Sequence, residues 1–113
     1  GAGVTPFIAI LRDLAKAEKI RGNKLIFANQ TEKDIILQNE LEGMLGDKFI
    51  NILSEGDNKL YAHGYINKSF LENYLQDKND KVYLCGPEPM MDAVSAILKE
   101  MNINEENIIV EKF

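Results

Sequence analysis

The chain has 113 residues, 45% hydrophobic and 27% charged, with a formal net charge of −5. That is the size and composition of one globular domain, and the interspersed acidic charge excludes a basic nucleic-acid footprint. No apolar run approaches the ~18 residues of a membrane span, no basic-then-apolar signal opens the chain, and Cys85 and His63, one of each type, are too few for an internal disulfide or a structural zinc site. A cytoplasmic location is the expectation.

The elements alternate along the chain. Residues 5–18 carry Phe7, Ile8, Leu11, Leu14 and Ala15 at helical spacing, with Thr5 as a candidate N-cap and Pro6 at the first helical position. "RGN" interrupts, and residues 24–29 (KLIFAN) read as a strand buried on both faces. Residues 31–45 read as a helix, with Thr31 and Asp34 as its capping signal and Ile35, Ile36, Asn39, Leu41 and Leu45 near one stripe. Residues 48–54 (KFINILS) form a second strand, and 55–59 a loop. A helix follows over 67–77, turning Phe70, Leu71, Tyr74 and Leu75 inward. Then come a strand over 81–86 (KVYLCG), a helix over 88–101 and a last strand in NIIVEKF. Helices alternating with short two-sided apolar strands predict the α/β class: an open parallel sheet with helices on both faces. Ligands of such sheets bind beyond the carboxyl ends of the strands.

The opening "GAGVTP" is a glycine-rich turn leading into a helix, and such a turn normally follows a strand. None precedes it here, as in a truncated or proteolysed chain; the alternative is a domain without this strand, which would leave two sheet edges unpaired inside the fold. The strand's place is expected to be left open, filled by another chain, or closed by rearrangement. Gly1 and Gly3 permit a tight turn or a close ligand approach. The helix start behind them presents free N–H groups suited to phosphate, with the Thr5 hydroxyl nearby. It is not the GxGxxG fingerprint, and no GxxxxGK[ST] occurs, which argues against a nucleoside-triphosphate hydrolase.

The second turn, "CGPEPMM" over residues 85–91, ends the strand at Cys85 and Gly86, stiffens at Pro87 and starts a helix at Glu88–Pro89. Alone, Cys85 reads as a small buried hydrophobe. With one distant His, a cysteine–histidine nucleophile is a poor fit.

Taken together, the two turns and the terminal "VEKF" make the chain resemble the nicotinamide-binding domain of the ferredoxin–NADP reductase family, whose sheet is Rossmann-like. The match runs in order through Gly1, Gly3, Val4, Thr5 and Pro6; "ANQTEKDI" (28–35); Cys85, Gly86, Pro87 and Met90; and Glu111 and Phe113. It covers essentially all of residues 1–113 as one NAD(P)-binding domain.

The resemblance implies that NAD(P)H lies along the carboxyl edge of the sheet. Its pyrophosphate would meet Gly1 to Thr5, and its nicotinamide would lie near Cys85 and Gly86. Pro87, Glu88 and Met90 would belong to the same binding turn, and Asn29 and Gln30 would begin the nucleotide-selecting loop. The hydride would pass to FAD held by a separate barrel domain, whose arginine motif has no match here, and electrons would go on to an electron-carrier protein. Phe113 would take the role of the family's terminal aromatic on the flavin, Glu111 that of an acidic residue beside it, and Cys85 that of the residue under the nicotinamide. The runner-up is a regulatory nucleotide-binding subunit without hydride transfer. A response regulator is disfavoured, because the aspartate cluster and lysine that class needs are missing from these loops.

A 2′-phosphate would want Arg or Lys after the second strand. Here Glu32 and Asp34 outnumber Lys33, so NADH is the expected coenzyme. His63 reads as a solvated loop residue or core hydrogen-bonder, with Gly64 and Tyr65 as candidate contacts to the adenosine half.

Overall fold

The structure is a computed structural model that describes residues 4–55, 62–64, 66–75, 80–102 and 105–113, leaving aside the side chains of Glu32, Ala62, His63 and Glu105. Its helices are α1 (Thr5–Lys16), α2 (Gln38–Leu45), α3 (Lys68–Tyr74) and α4 (Glu88–Glu100). Its strands are β1 (Asn23–Asn29), β2 (Phe49–Leu53), β3 (Ala62–His63), β4 (Lys81–Gly86) and β5 (Ile108–Lys112). They form one sheet in the order β3-β2-β1-β4-β5, and every pairing is parallel. Each residue of β1 and β2 is buried, which is why these segments read as continuous apolar runs rather than as alternation.

Side-chain alternation divides the core in two. On one face α1 and α2 bring Phe7, Ile8, Leu11, Leu41 and Leu45 onto Leu25, Phe27, Phe49, Tyr83 and Cys85. On the other, α3 and α4 bring Leu71, Met91, Val94 and Leu98 onto Ile26, Ile50, Ile52, Val82 and Leu84. Helices therefore cover both faces, as the alternation predicted.

The chain steps outward from β1 to β2 to β3, then crosses to the other side of β1 to lay down β4 and β5. The switch point of the topology thus lies between the carboxyl ends of β1 and β4. Those two strands pair directly, from Asn23 with Lys81 to Phe27 with Cys85. β1 and β4 thus satisfy each other's backbone groups.

Three boundaries differ from the sequence reading. Val4, not Thr5, is the N-cap of α1, so Thr5 is already helical and makes no capping bond. Thr31 and Asp34 do interact, the Thr31 N–H and Oγ1–H donating to Asp34 Oδ2 at 3.0 and 3.2 Å. They close only a 3-10 turn, Glu32–Asp34. The chain then leaves helical geometry, because Leu37 takes a left-handed φ of 52°, and α2 starts afresh at Gln38. Ile36 and Asn39, expected on the buried stripe, are accordingly exposed, as is Leu37 beside them. Finally, Ala62 and His63 form β3 at the sheet edge, where a loop was expected. Two residues are too few to show an alternation pattern.

Candidate functional site

Strand register assembles the carboxyl edge of the sheet. Phe27 of β1 lies opposite Cys85 of β4, and Cys85 lies opposite Glu111 of β5. Phe27 and Cys85 both belong to the core cluster on the α1–α2 face. Alternation along β5 puts Glu111 and Phe113 on that same face. Phe113 N–H donates to the Gly86 carbonyl at 3.0 Å, and Glu88 N–H donates to the Phe113 carbonyl at 3.2 Å. These bonds carry the β4–β5 pairing past the end of β5 and anchor Phe113 beside the turn. Its ring meets Phe27 edge-on, with centroids 6.2 Å apart at 83°. Phe113 is 39% exposed while Cys85 is fully buried. The thiol thus sits in the floor of the candidate site, with the Phe113 ring at its rim.

Burial pushes the Cys85 thiol well above its ordinary value of 9.0, and the Glu111 carboxylate pushes it the same way. The thiol is therefore protonated at neutral pH and unsuited to act as a thiolate nucleophile. A pH dependence follows. The folded pKa is raised, so Cys85 favours the folded state fully below about pH 9. That contribution is lost as pH rises from there, because only the unfolded thiol ionises. The unfolding free energy of the native protein, minus that of Cys85→Ala, is expected to fall by about 1.4 kcal/mol per pH unit above roughly pH 9. Urea titrations on either side of that pH check this, and a pH-independent difference would refute the buried assignment.

Gly86 is glycine for a reason other than conformational freedom. A Cβ there would lie 2.9 Å from Ala28 Cβ, 2.9 Å from Met91 Cε and 3.2 Å from the Ala28 carbonyl oxygen. The turn after β4 is thus pressed against the end of β1. Pro87 caps α4 in extended geometry, Glu88 is the acid in the helix's first turn, and Met90 packs with the cluster on the α3–α4 face. Met90 also lines, with Ile66, Pro89 and Ala93, a cavity of about 180 Å³. It is therefore separated by the sheet from Cys85 and Phe113.

Of the opening turn, Gly1 and Gly3 lie outside the described residues. Val4 is fully buried on the same face as Cys85, leaving Thr5 and Pro6 exposed at the start of α1. No side chain caps that start, and its first turn holds no acid. Its amides thus remain available to an anion, and this much of the site fits a dinucleotide's pyrophosphate.

At the end of β1, Asn29 is buried and Gln30 exposed. Their carbonyls accept from the N–H groups of Ser54 and Glu55, at 3.0 and 2.8 Å, which binds the loop after β1 to the end of β2. The Asp34 carboxylate stays in that loop, held by Thr31. On β3, His63 pairs with Leu53, and Gly64, at φ 110°, donates its N–H to the Leu53 carbonyl. Tyr65 lies outside the described residues.

Sequence reasoning missed Phe27 and Lys112. Phe27 was read only as one of an apolar run. Lys112 pairs with Asp92 of α4 at 2.6 Å, tying β5 to the helix behind the turn.

Among the described residues no helix is long and apolar enough to cross a membrane, and no group of three His, Cys, Asp or Glu could hold a metal ion.

Comparison with known proteins identifies the family. The family model described as "Oxidoreductase NAD-binding domain" matches residues 1–96. NADH-cytochrome b5 reductase 1 of Mortierella alpina is 33% identical over 96% of this chain and 39% of its own length. The 2-halobenzoate 1,2-dioxygenase electron transfer component of Burkholderia cepacia is 24% identical, over 100% of this chain and 35% of its own. Among solved structures, the CS-b5R domains of human Ncb5or in the NAD+ form superpose with a TM-score of 0.75 at 29% identity, over 97% of this chain and 34% of that one. The chain thus spans little more than a third of the length of these three relatives. With a family model matching most of its length, this chain belongs to the oxidoreductase NAD-binding domain family.

Proposed function

We propose that this chain is the pyridine-nucleotide half of a flavin-dependent reductase, with NADH as coenzyme. The observation that carries the reading is the face built by Phe27, Cys85, Glu111 and Phe113 at the switch point of the sheet. When bound, reduced nicotinamide supplies a hydride and a flavin on a neighbouring domain accepts it, leaving two electrons for a one-electron carrier such as a cytochrome or an oxygenase component.

The chain's own residues bind and orient. The amides at the start of α1 hold the coenzyme's phosphates. Phe113 covers the floor until the nicotinamide takes its place; moving it gives up an edge contact with Phe27 worth on the order of 1 kcal/mol. Cys85 and Phe27 give the ring a dry, apolar floor. Glu111 is half-buried at its margin, where a carboxylate favours the positive ring left after hydride departure. Asp34 in the loop after β1 disfavours a 2′-phosphate.

The test is anaerobic titration of the full-length protein with NADH and NADPH, following the visible absorbance of its flavin. Bleaching by NADH at lower concentration than by NADPH is the expected result. A flavin that neither coenzyme reduces would overturn the reading and favour a regulatory nucleotide-binding role.

A further inference from the structure

An aromatic ring that is 39% exposed is held only in part by packing, and Phe113 is such a ring. Its backbone is fixed by the turn after β4, through the bonds to the Gly86 carbonyl and from the Glu88 N–H. The residue before it adds a third tie. Ile108 and Val110 pack on the α3–α4 face, and alternation along β5 sends the Lys112 side chain to that face as well. There its Nζ lies 2.6 Å from Asp92 Oδ1. The hydrogen bond and charge of Asp92 raise the pKa of the Lys112 ammonium, and the Glu88 carboxylate, one turn back along α4, adds to that pull. In the strand register Lys112 lies opposite Gly86. All three ties therefore end on one short stretch, Gly86 to Asp92. They reach it from both faces of β5, with the ring over Phe27 on one side and the ion pair on the other.

Place gives this pair a role that most surface pairs lack. β5 is the edge of the sheet, so its last residues have one strand neighbour, β4. Peeling them from β4 would lift the Phe113 ring off Phe27, and the ion pair resists that peeling where the ladder ends. We propose, resting on the coenzyme reading above, that Lys112 and Asp92 are positioning residues: their ion pair latches the end of β5 to α4 and so sets how firmly Phe113 occupies the place that the nicotinamide takes. They act from the face opposite Cys85 and Phe27. Whatever favours the covered state competes with the coenzyme, so a looser latch gives tighter binding, not weaker. The sign separates this from direct attraction. A lysine that drew in the coenzyme's phosphates would weaken binding when neutralised, and an aspartate that repelled them would strengthen it. A latch gives the two substitutions the same sign.

The full-length flavoprotein is compared with its Lys112→Gln, Asp92→Asn and Lys112→Arg variants, each also made together with Phe113→Ala. Two quantities are read at low ionic strength: hydrogen exchange of the Phe113 and Glu88 amides by NMR, and affinity for NAD+, which leaves the flavin oxidised. Both side chains of the pair are about half exposed, and such pairs are weak and screened by salt. The expected effect is therefore about two- to threefold. Exchange of both amides should quicken by that factor in Lys112→Gln and in Asp92→Asn, and NAD+ should bind more tightly by that factor in both. Lys112→Arg keeps the charge and should match the native protein on both measures. With Phe113→Ala, neutralising either partner should leave NAD+ affinity unchanged, because no ring remains to be held. Unchanged exchange, unchanged NAD+ affinity, or opposite signs for the two neutralised variants overturns the latch and leaves the coenzyme reading standing. A native protein that does not bind NAD+ overturns both.

Discussion

Asp80→Ala is expected to cost about 3 kcal/mol of stability and roughly 10 °C or more in Tm. Asp80 sits just before β4, at the amino end of the sheet, far from the candidate site, and is 8% exposed. Its Oδ2 lies 3.2 Å from Lys48 Nζ and 3.7 Å from Lys24 Nζ. Lys24 is as buried as Asp80, and its ammonium also donates to the Tyr74 carbonyl. Without the carboxylate, two positive charges face one another, one of them in the protein interior. Removing one partner of a buried pair costs about 3–5 kcal/mol because the other is left uncompensated. The lower end applies here, since Lys24 keeps its carbonyl and Lys48 reaches solvent. Chemical denaturation of the variant checks the figure. A loss under about 1 kcal/mol would mean that Lys24 escapes to water and that the cluster is not structural.

The second large effect is at the turn. Gly86→Ala is expected to destabilise the protein by about 2 kcal/mol, the usual scale of overpacking, and to weaken coenzyme binding with it. The inserted methyl would collide with Ala28 and with Met91. Met91 can swing its terminal methyl aside, but Ala28 is part of a fully buried strand. Relief must come from moving Gly86, whose carbonyl accepts the Phe113 N–H. Strain at the turn therefore displaces the aromatic rim of the site. Ala28→Gly removes one of the colliding atoms, so the double variant should recover part of both losses, beyond the sum of the single effects. Additive costs in that cycle would place the strain somewhere other than the Ala28 contact.

Much of the architecture could be read before any coordinates. β4 runs over the same residues as expected, and α4 falls within a residue of expectation, because Val82 to Cys85 is uniformly apolar and the Gly-Pro-Glu-Pro punctuation admits one reading. The helix expected over 31–45 was less legible. Thr31 and Asp34 make a good cap, but only the three-dimensional path reveals that Leu37 turns left-handed and breaks the helix. β3 was invisible, since two residues carry no periodicity.

The sequence by itself determined the class of fold, the order of its elements and the two turns that carry the family likeness, because these depend on local propensity and on apolar patterning over neighbouring residues. It could also rank the coenzymes by the charges of one loop. Only the tertiary structure decided which residues meet: Phe27 under Phe113, Cys85 beside Glu111, and Met90 on the opposite face. It also decided that β1 and β4 pair directly. These facts depend on strand order and register, which join segments tens of residues apart. A shift of one residue in register would turn every one of those side chains to the other face.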